Sequence, residues 1–113
     1  NTFTDIAVSP EMSGMAIAVK NSELLLTENA FKSTSKIMSK LKITQIEWNK
    51  SGLYALSGSS LYNSTNFGKS WKKLNSFKAA TGILSASDRL MLVTVGADIY
   101  TSSNAGKKFK VLS

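Results

Sequence analysis

Along the chain, runs of four to six residues rich in Ile, Leu, Val, Tyr and Thr alternate with clusters of Gly, Asn, Ser and Asp. Short apolar runs bounded by turn-forming residues predict β-strands. No stretch keeps apolar residues at helical spacing over three turns, so no helix is predicted. Three matching segments open the series: Thr4-Asp5-Ile6-Ala7-Val8, Thr44-Gln45-Ile46-Glu47-Trp48 and Thr81-Gly82-Ile83-Leu84-Ser85. A turn follows each, at Pro10 to Gly14, Asn49 to Gly52 and Ala86 to Asp88. A second apolar strand follows each turn, at Met15 to Val19, Leu53 to Leu56 and Leu90 to Val95. Ala16, Ala18, Ala55 and Ala97 are small residues of the kind expected where sheets approach closely. The pattern predicts an all-β chain of about twelve strands.

The later half of each segment also repeats. Residues 61–74 and 99–112 align without gaps at an offset of 38, sharing aliphatic-Tyr-x-Ser-x-Asn-x-Gly-Lys-x-aromatic-Lys-x-Leu. A degraded copy lies at Leu25-Leu26-Thr27-Glu28-Asn29-Ala30-Phe31-Lys32-Ser33-Thr34, with Phe31 at the Gly position and Thr34 at the aromatic one. The chain therefore reads as one domain of three four-stranded repeats, 1–39, 40–76 and 77–113.

Composition narrows the chemistry. The 113 residues include no cysteine and no histidine, which excludes Cys/His zinc sites, thiol catalysis, Ser-His-Asp triads and disulfides. With 42% hydrophobic and 19% charged residues, the chain is not a disordered tail. Its longest strongly apolar stretch, Leu90 to Ala97, falls well short of the roughly 20 residues a spanning helix needs, so no transmembrane segment is expected. Fourteen basic residues against seven acidic ones give a net charge of +7, and Arg89 is the single arginine. A basic balance can serve nucleic acid, anionic membrane or acidic glycan. Reading bases and phosphates favours the planar fork of Arg, so the lysines argue for a solvated cationic surface and against nucleic acid. Residues 1–20 show no basic region ahead of an apolar run, hence no signal peptide. Beginning with Asn1 and not Met, the chain is read as a processed product, a trimmed chain or a piece of a longer one.

The pattern Ser/Thr-x-Asn-x-Gly-x-x-aromatic resembles the Asp-box, or BNR repeat, of sialidase-like, sortilin-like and photosystem II assembly-factor-like β-propellers. In those families the motif is a hairpin joining the third and fourth strands of a blade. Its mechanics follow from residue chemistry. A short polar side chain can bond the backbone N–H groups of its own turn, glycine admits positive φ, and the aromatic residue packs back over the sheet. The resemblance assigns a structural role to Thr27 and Asn29, to Ser64, Asn66, Gly68 and Trp71, and to Ser102, Asn104, Gly106 and Phe109. Asn replaces the usual Asp, which keeps the acceptor oxygen and loses the charge. The resemblance also implies an exported, periplasmic or extracellular location.

Known propellers have about four to eight blades, so three repeats do not close a ring alone. The chain is expected to be a homo-oligomer, a segment of a larger propeller, or a β-trefoil, which also has three repeats. Among enzymatic relatives, a sialidase needs several arginines, and one does not suffice. A two-carboxylate glycosidase needs a close acidic pair. Of Asp5, Glu11, Glu23, Glu28, Glu47, Asp88 and Asp98, only Asp5 and Glu47 lie near equivalent positions, on the first strand that lines a propeller's channel. Trp48 on that strand completes a candidate ligand face. Lys69, Lys72, Lys73, Lys107, Lys108 and Lys110 flank the two clear hairpins, either as a polyanion-binding rim or as a solubilising surface. No catalytic residue, metal ligand or cofactor is assigned. The expected function is a non-enzymatic propeller module binding a protein or glycan. The alternatives are a structural or assembly segment of a larger propeller and a glycoside hydrolase-type subunit with an incomplete site.

Overall fold

The computed structural model describes residues 3–21, 23–37, 41–87 and 90–112. Within these residues twelve strands form three separate four-stranded antiparallel sheets. The first holds β1 (Phe3–Val8), β2 (Ala16–Lys20), β3 (Glu23–Thr27) and β4 (Ser35–Ile37). The second holds β5 (Gln45–Asn49), β6 (Gly52–Ser57), β7 (Ser60–Ser64) and β8 (Lys72–Ser76). The third holds β9 (Thr81–Ser87), β10 (Leu90–Val95), β11 (Asp98–Ser102) and β12 (Lys110–Val111). In every sheet the spatial order follows the chain, because tight turns leave each strand beside its predecessor.

These are propeller-type blades and not a trefoil. Each pairing stays within one sheet, and the sheets do not join into a barrel. They stack face to face through two apolar clusters. The first takes Ile17, Leu24 and Ile37 from the first sheet and Ile46, Leu53 and Ala55 from the second, with Trp48 and Trp71 packed against it. The other takes Tyr54, Leu56 and Leu61 from the second sheet and Leu84, Met91 and Val93 from the third, with Phe109 and Tyr100 alongside. The middle sheet is thus covered on both faces, which is why β6 reads as an unbroken apolar run, Leu53-Tyr54-Ala55-Leu56.

Three sequence expectations need correction. First, β9 runs through Ala86 to Ser87, so Ala86 is a strand residue and not a turn residue. Asp88 and Arg89 lie outside the described residues. Second, Ile6 and Ile46 pair with Ala18 and Ala55, whereas in the third sheet Leu84 takes that place, opposite Val93. The match drawn through Ile83 is one residue out. A bulge lets Gly82 and Ile83 together oppose Thr94, whose Oγ1 accepts from Ile83 N at 2.7 Å. Third, Ala97 is exposed in the turn before β11, while Ala16, Ala18 and Ala55 are buried.

Candidate functional site

The three hairpins share one hydrogen-bond pattern. In the second, Ser64 Oγ donates to Asn66 Oδ1 at 2.9 Å and accepts from Gly68 N at 2.9 Å, and Asn66 Oδ1 accepts from Ser70 N at 2.9 Å. In the third, Ser102 Oγ donates to Asn104 Oδ1 at 2.8 Å and accepts from Gly106 N at 3.0 Å, and Asn104 Oδ1 accepts from Lys108 N at 3.0 Å. The degraded first copy keeps the same network through Thr27, Asn29, Phe31 N and Ser33 N. The hydroxyl residues Thr27, Ser64 and Ser102 are buried. Sequence reasoning missed the donor four residues after each Asn. The repeated Ser at 33 and 70 was its signal.

Two residues at each hairpin tip have positive φ: Ala30 and Phe31, Phe67 and Gly68, Ala105 and Gly106. Glycine at the second of these also permits close sheet contact. A Cβ on Gly68 would meet Ile37 Cδ1 at 3.3 Å, across the first inter-sheet interface. Trp71 and Phe109 are half-buried against the two clusters, and Thr34 in the first copy is exposed.

The chemically distinctive place is the inner edge, where β1 packs beside β5 and β5 beside β9. An edge strand presents unpaired backbone N–H groups, and here the carboxylates of Asp5 and Glu47 take three of them, two on the inner strand of the next blade. Asp5 Oδ1 accepts from Ile6 N at 2.9 Å, and its Oδ2 accepts from Ile46 N at 2.7 Å. Glu47 Oε1 accepts from Ala86 N at 3.2 Å. The same lateral step recurs two residues further along the strands, because side chains at i and i+2 share a face. Burial pushes the Glu47 carboxyl above the usual carboxylate range, the Ala86 N–H opposes this, and the negative charge of Asp5 adds to the rise. The two acids therefore sense each other at this edge of a chain whose net charge is +7.

Trp48 does not join them. Adjacent strand residues point to opposite faces, so Glu47 faces the third sheet while Trp48 packs into the first inter-sheet cluster, 6.2 Å from the Phe67 ring. Lys69, Lys72, Lys73, Lys107, Lys108 and Lys110 are all exposed. Among the described residues no group of three or more Asp or Glu could hold a metal ion. No helix among them is long and apolar enough to cross a membrane, which says nothing of membrane β-barrels.

Residues 61–74, the hairpin of the middle sheet, match the BNR-Asp box repeat family. A comparison with curated protein sequences gives no match. Among solved structures, YCF48 from Cyanidioschyzon merolae superposes with a TM-score of 0.80 at 14% identity, over 97% of this chain and 36% of that one. YCF48 bound to D1 peptide gives 0.80 at 14% identity, over 98% and 40%. The GH74 enzyme of Niastella koreensis gives 0.70 at 14% identity, over 96% and 17%. These are propeller proteins with BNR-type repeats. At such identities the likeness concerns the fold, and the chain spans well under half of each neighbour.

Proposed function

We propose that this chain is a non-enzymatic, protein-binding segment of a β-propeller, which engages a peptide stretch of its partner along the inner edge of β1, β5 and β9. The observation that carries the reading is that Asp5 and Glu47 both hold backbone N–H groups along that edge, one in each inter-blade cleft, with the Asp5 charge felt at Glu47. Both acids carry negative charge along this edge, so a Lys or Arg side chain of the partner fits it. The fold it shares with YCF48 bound to D1 peptide supports a peptide ligand over a glycan. Hydrolysis is the weaker reading, because Asp5 and Glu47 are already occupied as acceptors for the backbone of the neighbouring blades.

The test is selection of displayed random peptides on the purified chain, with a glycan array and glycoside turnover run in parallel. Enriched peptides are expected to carry Lys or Arg. Their binding is expected to fall in Glu47→Gln, which keeps the acceptor for Ala86 N, and to fall further in Glu47→Lys. Equal binding by all three proteins, or glycan binding or turnover without peptide binding, would overturn the proposal.

A further inference from the structure

The two ends of the three-blade stack are unmatched halves of an interface the chain makes twice internally. Pairing registers fix which residues correspond. Ile17, Tyr54 and Leu92 hold one position, opposite Leu26, Asn63 and Thr101. Leu24, Leu61 and Ile99 hold a second, with Ile37 and Leu112 beside the first and last of them. In the first two blades these positions are buried beneath the following blade. In the third blade Leu92 is 36% exposed and Leu112 58% exposed. Among the described residues nothing covers this trailing face.

The opposite end mirrors it. Ile46 and Leu84 are buried against the blade before them, whereas their counterpart Ile6 is 52% exposed, and Phe3 and Val8 are exposed beside it. The hairpin of this leading face is altered in a coordinated way. Phe31 stands where the other copies have Gly68 and Gly106, and Thr34 stands where they have Trp71 and Phe109. Aromatic bulk has moved from one position of the motif to the other, and both residues line a 760 Å³ concavity. Phe31 keeps φ at +66°, a strained conformation for a bulky side chain, with its ring partly in solvent.

We propose that a second copy of this chain covers these faces, the trailing face of one copy docking on the leading face of the other, so that two contacts related by a two-fold axis close a ring of six blades. Continuity with the two internal interfaces argues for this occupant. The trailing face repeats the surface that already receives a leading face between blades one and two and between blades two and three. Six blades also fall within the range in which propellers close. The inference is independent of the peptide reading, since it rests on the sheet faces and not on the inner edge.

Light scattering after size exclusion tests it on the 113-residue chain, with Ile6→Glu on the leading face and Leu92→Lys on the trailing face. Both residues are solvent-exposed in the isolated chain, so circular dichroism and melting should show the fold retained. Should either variant fail to fold, Val8→Glu and Ile99→Lys replace them. The wild type is expected at twice the chain mass and each variant at the chain mass. An equal mixture of the two variants should return to twice the chain mass, because one contact is then fully wild type and the other pairs Glu with Lys. A wild type that stays at the chain mass would overturn the proposal and leave the faces to other blades. So would an assembly of any other size, variants that still pair, or a mixture that does not.

Discussion

Gly106 lies against Leu61 of the neighbouring blade so closely that a Cβ on it would stand 3.1 Å from Leu61 Cδ2, with Met91 Sδ also at 3.1 Å and Leu74 Cδ1 at 3.2 Å. The glycine has φ +86°, so two separate costs meet at one residue. Gly58 has φ +60° with nothing within 4 Å of a built Cβ, and so carries only the first cost. Gly58→Ala is therefore expected to lose about 1–2 kcal/mol from backbone strain. Gly106→Ala should lose that and a further ~1–3 kcal/mol from overpacking. Urea unfolding of the two variants measures the difference, and equal losses would refute the packing argument.

The buried hydroxyl of Ser64 serves Gly68 N and Asn66 Oδ1 at once. Ser64→Ala leaves a buried amide without its acceptor and is expected to cost about 1–3 kcal/mol. Asn66→Asp keeps the acceptor that holds Ser70 N, and the Ser70 hydroxyl can turn to donate, so its cost should stay within ~0.5 kcal/mol. Thermal unfolding of both variants decides it. An Asp variant as unstable as the Ala variant would show that the amide group, and not the acceptor oxygen, organises the turn.

What could be read from the sequence divides by distance along the chain. The hairpins were legible because their networks close within six residues, and the spacing Ser-x-Asn-x-Gly states them directly. The blade count was legible from the same repetition. The register of the third blade was not, because a bulge inserts a residue. Gly82 inside a strand was the sign of it. The bond from Ile46 N to Asp5 spans 41 residues and depends on how two sheets are placed, which no local pattern encodes. Trp48 was grouped with Glu47 although the two are neighbours on one strand, and the two-residue period alone sets them on opposite faces.

Phe31 occupies a glycine-type conformation at φ +66° and is 39% exposed. Phe31→Gly removes the strain but adds freedom to the unfolded chain. Where the leading face is uncovered, the balance is expected to lie between neutral and a gain of about 1 kcal/mol. The measurement is a melt of Phe31→Gly combined with Leu92→Lys against Leu92→Lys alone, so that both proteins are single chains. A loss above ~1 kcal/mol would mean that the ring already packs within the isolated chain and that the strain is repaid locally.

Glu47 makes the stability of the fold depend on pH in a direction opposite to that of a salt-bridged acid. Burial and the Asp5 charge hold its carboxyl above the usual range in the folded chain, so the folded state retains the proton more strongly than the unfolded one. Stability from this group is therefore present at acid pH and declines as pH rises from the ordinary glutamate range through the raised folded value. Glu47→Gln keeps an oxygen for Ala86 N and removes the titration. The variant is expected to melt at or above the wild type at pH 7 and to lose that advantage toward pH 4. The gap should be under about 1 kcal/mol, because the group is partly solvated. A cation bound beside Glu47 should reverse the trend, lowering the Glu47 carboxyl and strengthening binding as pH rises. A pH-independent difference between wild type and Glu47→Gln would show that burial does not govern this carboxylate.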